Sequence, residues 1–127
     1  MTAIDFPAWH AADWERFFAR AISSLWAVFW LWFGLASGIA EGMTPGGILV
    51  HSAVPGLLFL LLAAFAWWKE RTGSYVFLLA GLFTYGAYWN MVGHRGVTYF
   101  LGVGSMLALP MLLAGLLFHL ASRQPRV

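Results

Sequence analysis

The sequence predicts an all-α membrane protein: an antiparallel bundle of four transmembrane helices with a short N-terminal interfacial helix. Three observations carry this prediction. Of 127 residues, 61% are hydrophobic and only 9% are charged, against roughly 25% charged in an ordinary soluble domain. A fold this small keeps much of its surface exposed, so water is a poor solvent for such a chain. The apolar residues fall into four long runs, each near the roughly 20 residues that a helix needs to cross a bilayer. The runs are continuous, not alternating, as helices in lipid require and barrel strands do not.

The elements follow in order. Asp5-Phe6-Pro7 opens the chain, and residues 1–18 read as an interfacial segment in which Trp9, Trp14, Phe17 and Phe18 mix with Asp13, Glu15 and Arg16. The first span covers about 19–40. The second covers about 46–68, after Thr44-Pro45, a capping hydroxyl followed by a first-turn proline. The third covers about 74–92, with Thr72-Gly73-Ser74 expected to end one run and cap the next. Gly93 is the expected stop before the fourth, about 97–120. The short connections imply antiparallel neighbours within one membrane domain, 1–127.

Basic residues give an orientation. Arg16, Arg20, Lys69, Arg71, Arg123 and Arg126 belong to one side, and Arg95 alone to the other. The positive-inside rule then places both termini in the cytoplasm. An alternative reading of the first run as a cleavable signal peptide, with Gly38-Ile39-Ala40 as the cleavage site, is disfavoured. The run is too long, too rich in tryptophan, and preceded by three acids.

Small residues mark helix seams in lipid. Gly34, Gly38 and Gly42 are spaced by four on the first span, and this seam is expected to be intramolecular rather than a dimer contact. Trp26, Phe29, Trp30 and Phe33 form a neighbouring aromatic face. Pro55 and Pro110 lie inside the second and fourth spans. They are expected to kink them, freeing the carbonyls of His51 and Met106.

Several chemistries are excluded or weak. There is no cysteine, hence no disulfide, thiolate ligand or thiol nucleophile. The basic residues are scattered, so nucleic acid is not an expected partner. No GxSxG or HExxH motif is present, no catalytic residue is assigned, and no cofactor is predicted. The polar residues gather toward the outer side. Among them Glu41, His51 and His94 are the candidate metal ligands, and His51 and His94 the candidate haem ligands.

Leu49-Val50-His51-Ser52-Ala53-Val54-Pro55, the leucine-rich run to Leu62, and Ala66-Trp67-Trp68-Lys69-Glu70-Arg71-Thr72-Gly73 form a pattern. Together with the stretch Phe33 to Gly42, it resembles a family of short bacterial four-helix membrane proteins of unknown function. The resemblance covers the first two-thirds of the chain and implies four helices and no known activity. It singles out Glu41, His51, Pro55 and Gly73.

The function expected is that of a non-enzymatic accessory or interaction subunit, and the resemblance implies a bacterial inner membrane as its place. Its partners would be the lipid bilayer and either another membrane protein or a second copy of the chain. Two alternatives are a redox or metal-associated subunit using the outer histidines, and a small-solute or ion transporter with Thr84 and Tyr85 facing a hydrated pocket. The orientation has a direct test. A cysteine at Thr44 should react with an impermeant maleimide in intact cells and one at Ser122 should not; labelling of Ser122 alone, or of both, would reverse or refute it.

Overall fold

A computed structural model describes residues 9–124. It contains four helices, α1 (Ala11–Ala40), α2 (Pro45–Trp68), α3 (Glu70–Val92) and α4 (Val97–Ser122), with a 3-10 turn at Gly93–Arg95 before α4. All four are long and apolar enough to cross a membrane. They run up and down in chain order. Each helix packs on its sequence neighbours, and α1 closes the ring against α4. The end carrying His10, Lys69 and Arg123 is called the basic end below, and the end carrying Gly42 and Gly96 the opposite end.

Two expected boundaries move. Among the described residues the predicted interfacial helix is not a separate element: α1 is continuous from Ala11. No glycine or proline interrupts the chain between Ala11 and Phe33, so nothing stops the helix there. At 30 residues, α1 is about 45 Å long, which exceeds the roughly 30 Å hydrocarbon core. Its first turns therefore have length to spare. His10 caps it, its N–H donating to Asp13 Oδ2 at 2.9 Å. The Asp5-Phe6-Pro7 opening lies outside the described residues. The second shift is at α3, which begins at Glu70, so Thr72-Gly73-Ser74 lies inside a helix and caps nothing. The chain reverses on Lys69 alone (φ −120°, ψ 72°). Gly73 makes this possible, because a Cβ there would run into the Cα and Cβ of Ala66 across the hairpin.

Thr44 and Pro45 start α2 as expected, with Thr44 Oγ1 accepting from Gly47 N at 3.2 Å. Gly93 ends α3, but the positive φ of this connection (+104°) falls on Gly96. Gly42 is not a seam residue. It has φ +69° and open space where a Cβ would sit. Its N–H bonds to Ile39 O at 3.0 Å, and Met43 N bonds to Gly38 O at 3.1 Å, the paired bonds of a Schellman motif. Gly34 and Gly38 do form a seam, and it is intramolecular. A Cβ on Gly34 would lie 2.6 Å from Ser52 Cα and 2.7 Å from His51 O, and one on Gly38 3.3 Å from Ile48 Cα. The contact with His51 O matters, since Pro55 leaves that carbonyl without its helical donor. α2 continues through Pro55 and α4 through Pro110.

The bundle is small inside and large outside. Ala19, Ala27, Ala63, Ala66, Ala108, Ala114 and Ala121 are buried, with Phe77, Met111 and Phe118 as the large fully buried side chains. Leu61, Phe83 and Met106 are exposed, Phe83 to 76%. This is the pattern of helices held by close backbone approach in a solvent as apolar as leucine. The central cluster of Trp26, Phe77, Met111 and Phe118 lies in the half nearer the basic end and joins the α1–α2 hairpin to the α3–α4 hairpin. Toward the opposite end polar side-chain contacts run within hairpins: Ser37 with His51, and Tyr85 with Ser105 at 2.6 Å.

Glycine substitutions should rank by these clearances. Gly34→Ala should destabilise the bundle by about 1–3 kcal/mol, because two backbones must part. Gly38→Ala should cost less, and Gly86→Ala, where a Cβ meets nothing, should cost nothing. Denaturation of the three variants in detergent checks the order.

Candidate functional site

The predicted outer-side residues do not converge. Glu41 is exposed at the C-cap of α1. His94 is exposed in the 3-10 turn. His51 borders a cavity of about 390 Å³ with Trp30, Gly34 and Pro55, and its Nε2 is 3.0 Å from Ser37 Oγ. Among the described residues no group of three or more His, Asp or Glu is placed to hold a metal ion. Arg95 does not pair with Glu41; its guanidinium lies over the Tyr99 ring at 5.5 Å. Thr84 and Tyr85 do not offer their hydroxyls to a hydrated pocket. Thr84 donates to Ala80 O at 2.8 Å on its own helix, and Tyr85 pairs with Ser105 across to α4.

The polar chemistry of the fold sits instead at the basic end. Glu70, the first residue of α3, is buried to 5% exposure. Its position is set by the Lys69 reversal, which turns it inward under the bundle. A carboxylate cannot remain ionised there unpaired. Arg16, on the second turn of α1, supplies the pair. Its Nε donates to both carboxylate oxygens, at 2.9 Å to Oε1 and 3.1 Å to Oε2. The same guanidinium reaches α4, where Nη2 donates to Ala121 O at 3.0 Å and to Gln124 O at 3.3 Å. Those carbonyls end α4, where unpaired backbone oxygens and the negative end of the helix dipole favour a cation. Glu70, at the start of α3, occupies the end where an anion is favoured. One turn further along α1, Arg20 Nη2 lies 3.8 Å from Glu70 Oε1, and its guanidinium packs 5.4 Å from the centre of the Trp67 ring. One arginine thus holds the ends of three helices together, and a second stands beside it against α2.

Glu70 and Arg16 were not among the candidates drawn from the sequence. A signal was present: Arg16 and Arg20 share a helix face at i, i+4, and Glu70 is a lone acid between two basic residues. Nothing local says that they meet across 54 positions.

This arrangement defines a class: a four-helix protein with a small-residue interior, an apolar exterior and a structural ionic knot at one end, compatible with a small multi-pass membrane protein. The chain belongs to the family described as a domain of unknown function (DUF7670), whose model matches residues 9–127. The resemblance to an uncharacterised family read from the sequence is thus established, and it extends over nearly the whole chain. No curated protein and no solved structure matches the chain significantly.

The knot has an asymmetric prediction. Glu70→Ala strands the Arg16 charge and should cost about 3–5 kcal/mol. Replacing both, Arg16→Met with Glu70→Leu, should recover most of that loss. A double-mutant cycle by denaturation in detergent measures the coupling; additive effects would show that the pair contributes nothing.

Proposed function

We propose that the protein is a non-catalytic accessory subunit of a bacterial inner membrane, with both termini in the cytoplasm, that acts by binding another membrane protein through the outer face of α3. The observation that carries this reading is the composition of that face. Leu79, Phe83, Gly86 and Asn90 lie at i, i+4, i+7 and i+11, on one stripe, and all four are exposed. Gly86 has open space where a side chain would be, unlike Gly81 five residues earlier, whose Cβ would meet Leu112 at 2.6 Å. Asn90 is a polar amide on the same stripe, its Nδ2 donating among the described residues only to Gly86 O, at 3.2 Å. Glycine and an amide on a lipid-facing stripe favour a second helix over acyl chains, since close approach and cross-helix hydrogen bonds hold membrane helices together. Phe83 beside Gly86 offers a knob next to a hole.

The orientation rests on the side-by-side placement of Arg16, Arg20, Lys69 and Arg123 at one end of the bundle. Transport finds less support, because the Thr84 and Tyr85 hydroxyls are engaged with protein. A redox role also finds less. His51 Nε2 is hydrogen-bonded to Ser37, and His119 Nε2 accepts from Arg123 Nε at 3.2 Å.

The chain has no native cysteine, so the interface can be mapped with single replacements. Gly86→Cys should give crosslinked adducts in native membranes, either to a second copy or to a distinct membrane protein. Leu61→Cys, exposed on α2, should give none. Equal crosslinking at both positions, or none at position 86, would refute the α3 interface.

A further inference from the structure

Beside the ionic knot, the first turns of α1 and the last turn of α2 border a groove of about 680 Å³. Its lining changes in a definite order along the bundle axis. Nearest the bundle centre are Ala21 and Ser24, then Arg20 and Trp67, then Arg16, whose Nε is bonded to Glu70, and farthest out Asp13 and Trp9. Arg20 is the chemically unfinished member. Glu70, the acid beside it, already binds Arg16 more closely, at 2.9 Å against 3.8 Å. Two guanidinium charges therefore share one carboxylate. Arg20 Nε is shielded from solvent and has no hydrogen-bond partner among the described residues. Asp13 uses Oδ2 for the cap of α1 and forms no ion pair among the described residues.

From the centre outward the groove reads apolar, cationic, then anionic and aromatic. A phospholipid with an amine-bearing headgroup reads acyl chain, phosphate, ammonium in the same direction. We propose that the groove binds one such lipid. Its phosphodiester sits on Arg20, its ammonium lies between the Asp13 carboxylate and the Trp9 ring, and an acyl chain runs inward from Trp67 along Ala21 and Ser24. Arg20 and Asp13 are seven residues apart, about 10 Å along the axis. Arginine side chains on helices lean toward the N-terminus, which shortens the gap between guanidinium and carboxylate. Phosphate accepts charge-assisted bonds from a guanidinium, and an ammonium is attracted to both a carboxylate and an indole face. A singly anionic headgroup without an amine would satisfy Arg20 but leave Asp13 facing a neutral group. The inference rests on the helices spanning a bilayer, and not on the α3 interface.

The test uses purified full-length protein. Flotation with liposomes first establishes insertion. Native mass spectrometry then follows retention of phosphatidylethanolamine and phosphatidylglycerol with the same acyl chains, added in equal amounts. One phosphatidylethanolamine should be retained in preference to phosphatidylglycerol. Arg20→Ala should cut retention roughly tenfold, the loss of about one charge-assisted hydrogen bond. Asp13→Asn keeps an oxygen for the helix cap and should abolish the preference between the two lipids. Preference for phosphatidylglycerol in the unsubstituted protein, undiminished retention in Arg20→Ala, or unchanged selectivity in Asp13→Asn would each overturn the proposal. Should Arg20→Ala fail to fold, the selectivity of Asp13→Asn decides. A protein that floats yet retains no lipid refutes the groove alone; one that does not float refutes the membrane reading with it.

Discussion

A carboxylate taken out of water must be answered by a positive charge and by hydrogen bonds, and in this protein much of the basic end is arranged around that demand. Glu70 is buried because α2 and α3 are joined by a single residue. Arg16 answers it with Nε and, with Nη2, also answers the unpaired carbonyls at the end of α4. The helix ends have matching polarity: the acid lies at the start of α3 and the guanidinium reaches the finish of α4. The arrangement fixes where α1 stands relative to the α3–α4 hairpin. That placement sets the alanine and glycine contacts above it.

Those contacts have little tolerance. Gly81 and Gly115 face Leu112 and Leu78 across the α3–α4 seam, and a Cβ on Gly115 would lie 3.0 Å from Ser74 O. The serines that are buried do not bridge helices. Ser23 and Ser74 return their hydroxyls to Arg20 O and Arg71 O on their own helices, at 3.1 and 2.7 Å. Cohesion therefore comes from dispersion over closely approached backbones, with a few directional bonds such as Ser52 to Leu31 O. The central cluster strengthens only the half nearer the basic end, so the two hairpins are joined firmly there and chiefly to themselves beyond it.

How much of this was legible follows from the range of each interaction. The spans were legible because apolar length is a property of a continuous stretch. The Thr44-Pro45 start was legible because a cap is made within four residues. Gly42 was misread as part of the seam, since spacing by four fits both a helix face and a helix ending; its neighbour Met43, bonded back to Gly38, decides. Gly73 looked like a helix terminator because glycine usually is one. Its role depends on Ala66 lying against it, which no local pattern shows. The Arg16–Glu70 pair was illegible for the same reason on a longer scale. The outer histidines and Glu41 drew attention as rare polar residues, yet each lies on a different connection or helix, and rarity carries no information on distance.

The one-residue reversal at Lys69 also bears on how the chain enters a bilayer. Two helices joined so tightly have no slack for one to be laid down while the other waits at a distance. In a bilayer this reversal holds the end of α2 and the start of α3 at one surface. Lys69 and Arg71 at its tip resist being dragged through hydrocarbon, where each would cost several kcal/mol. The reversal is thereby anchored to that surface by charge as well as by geometry.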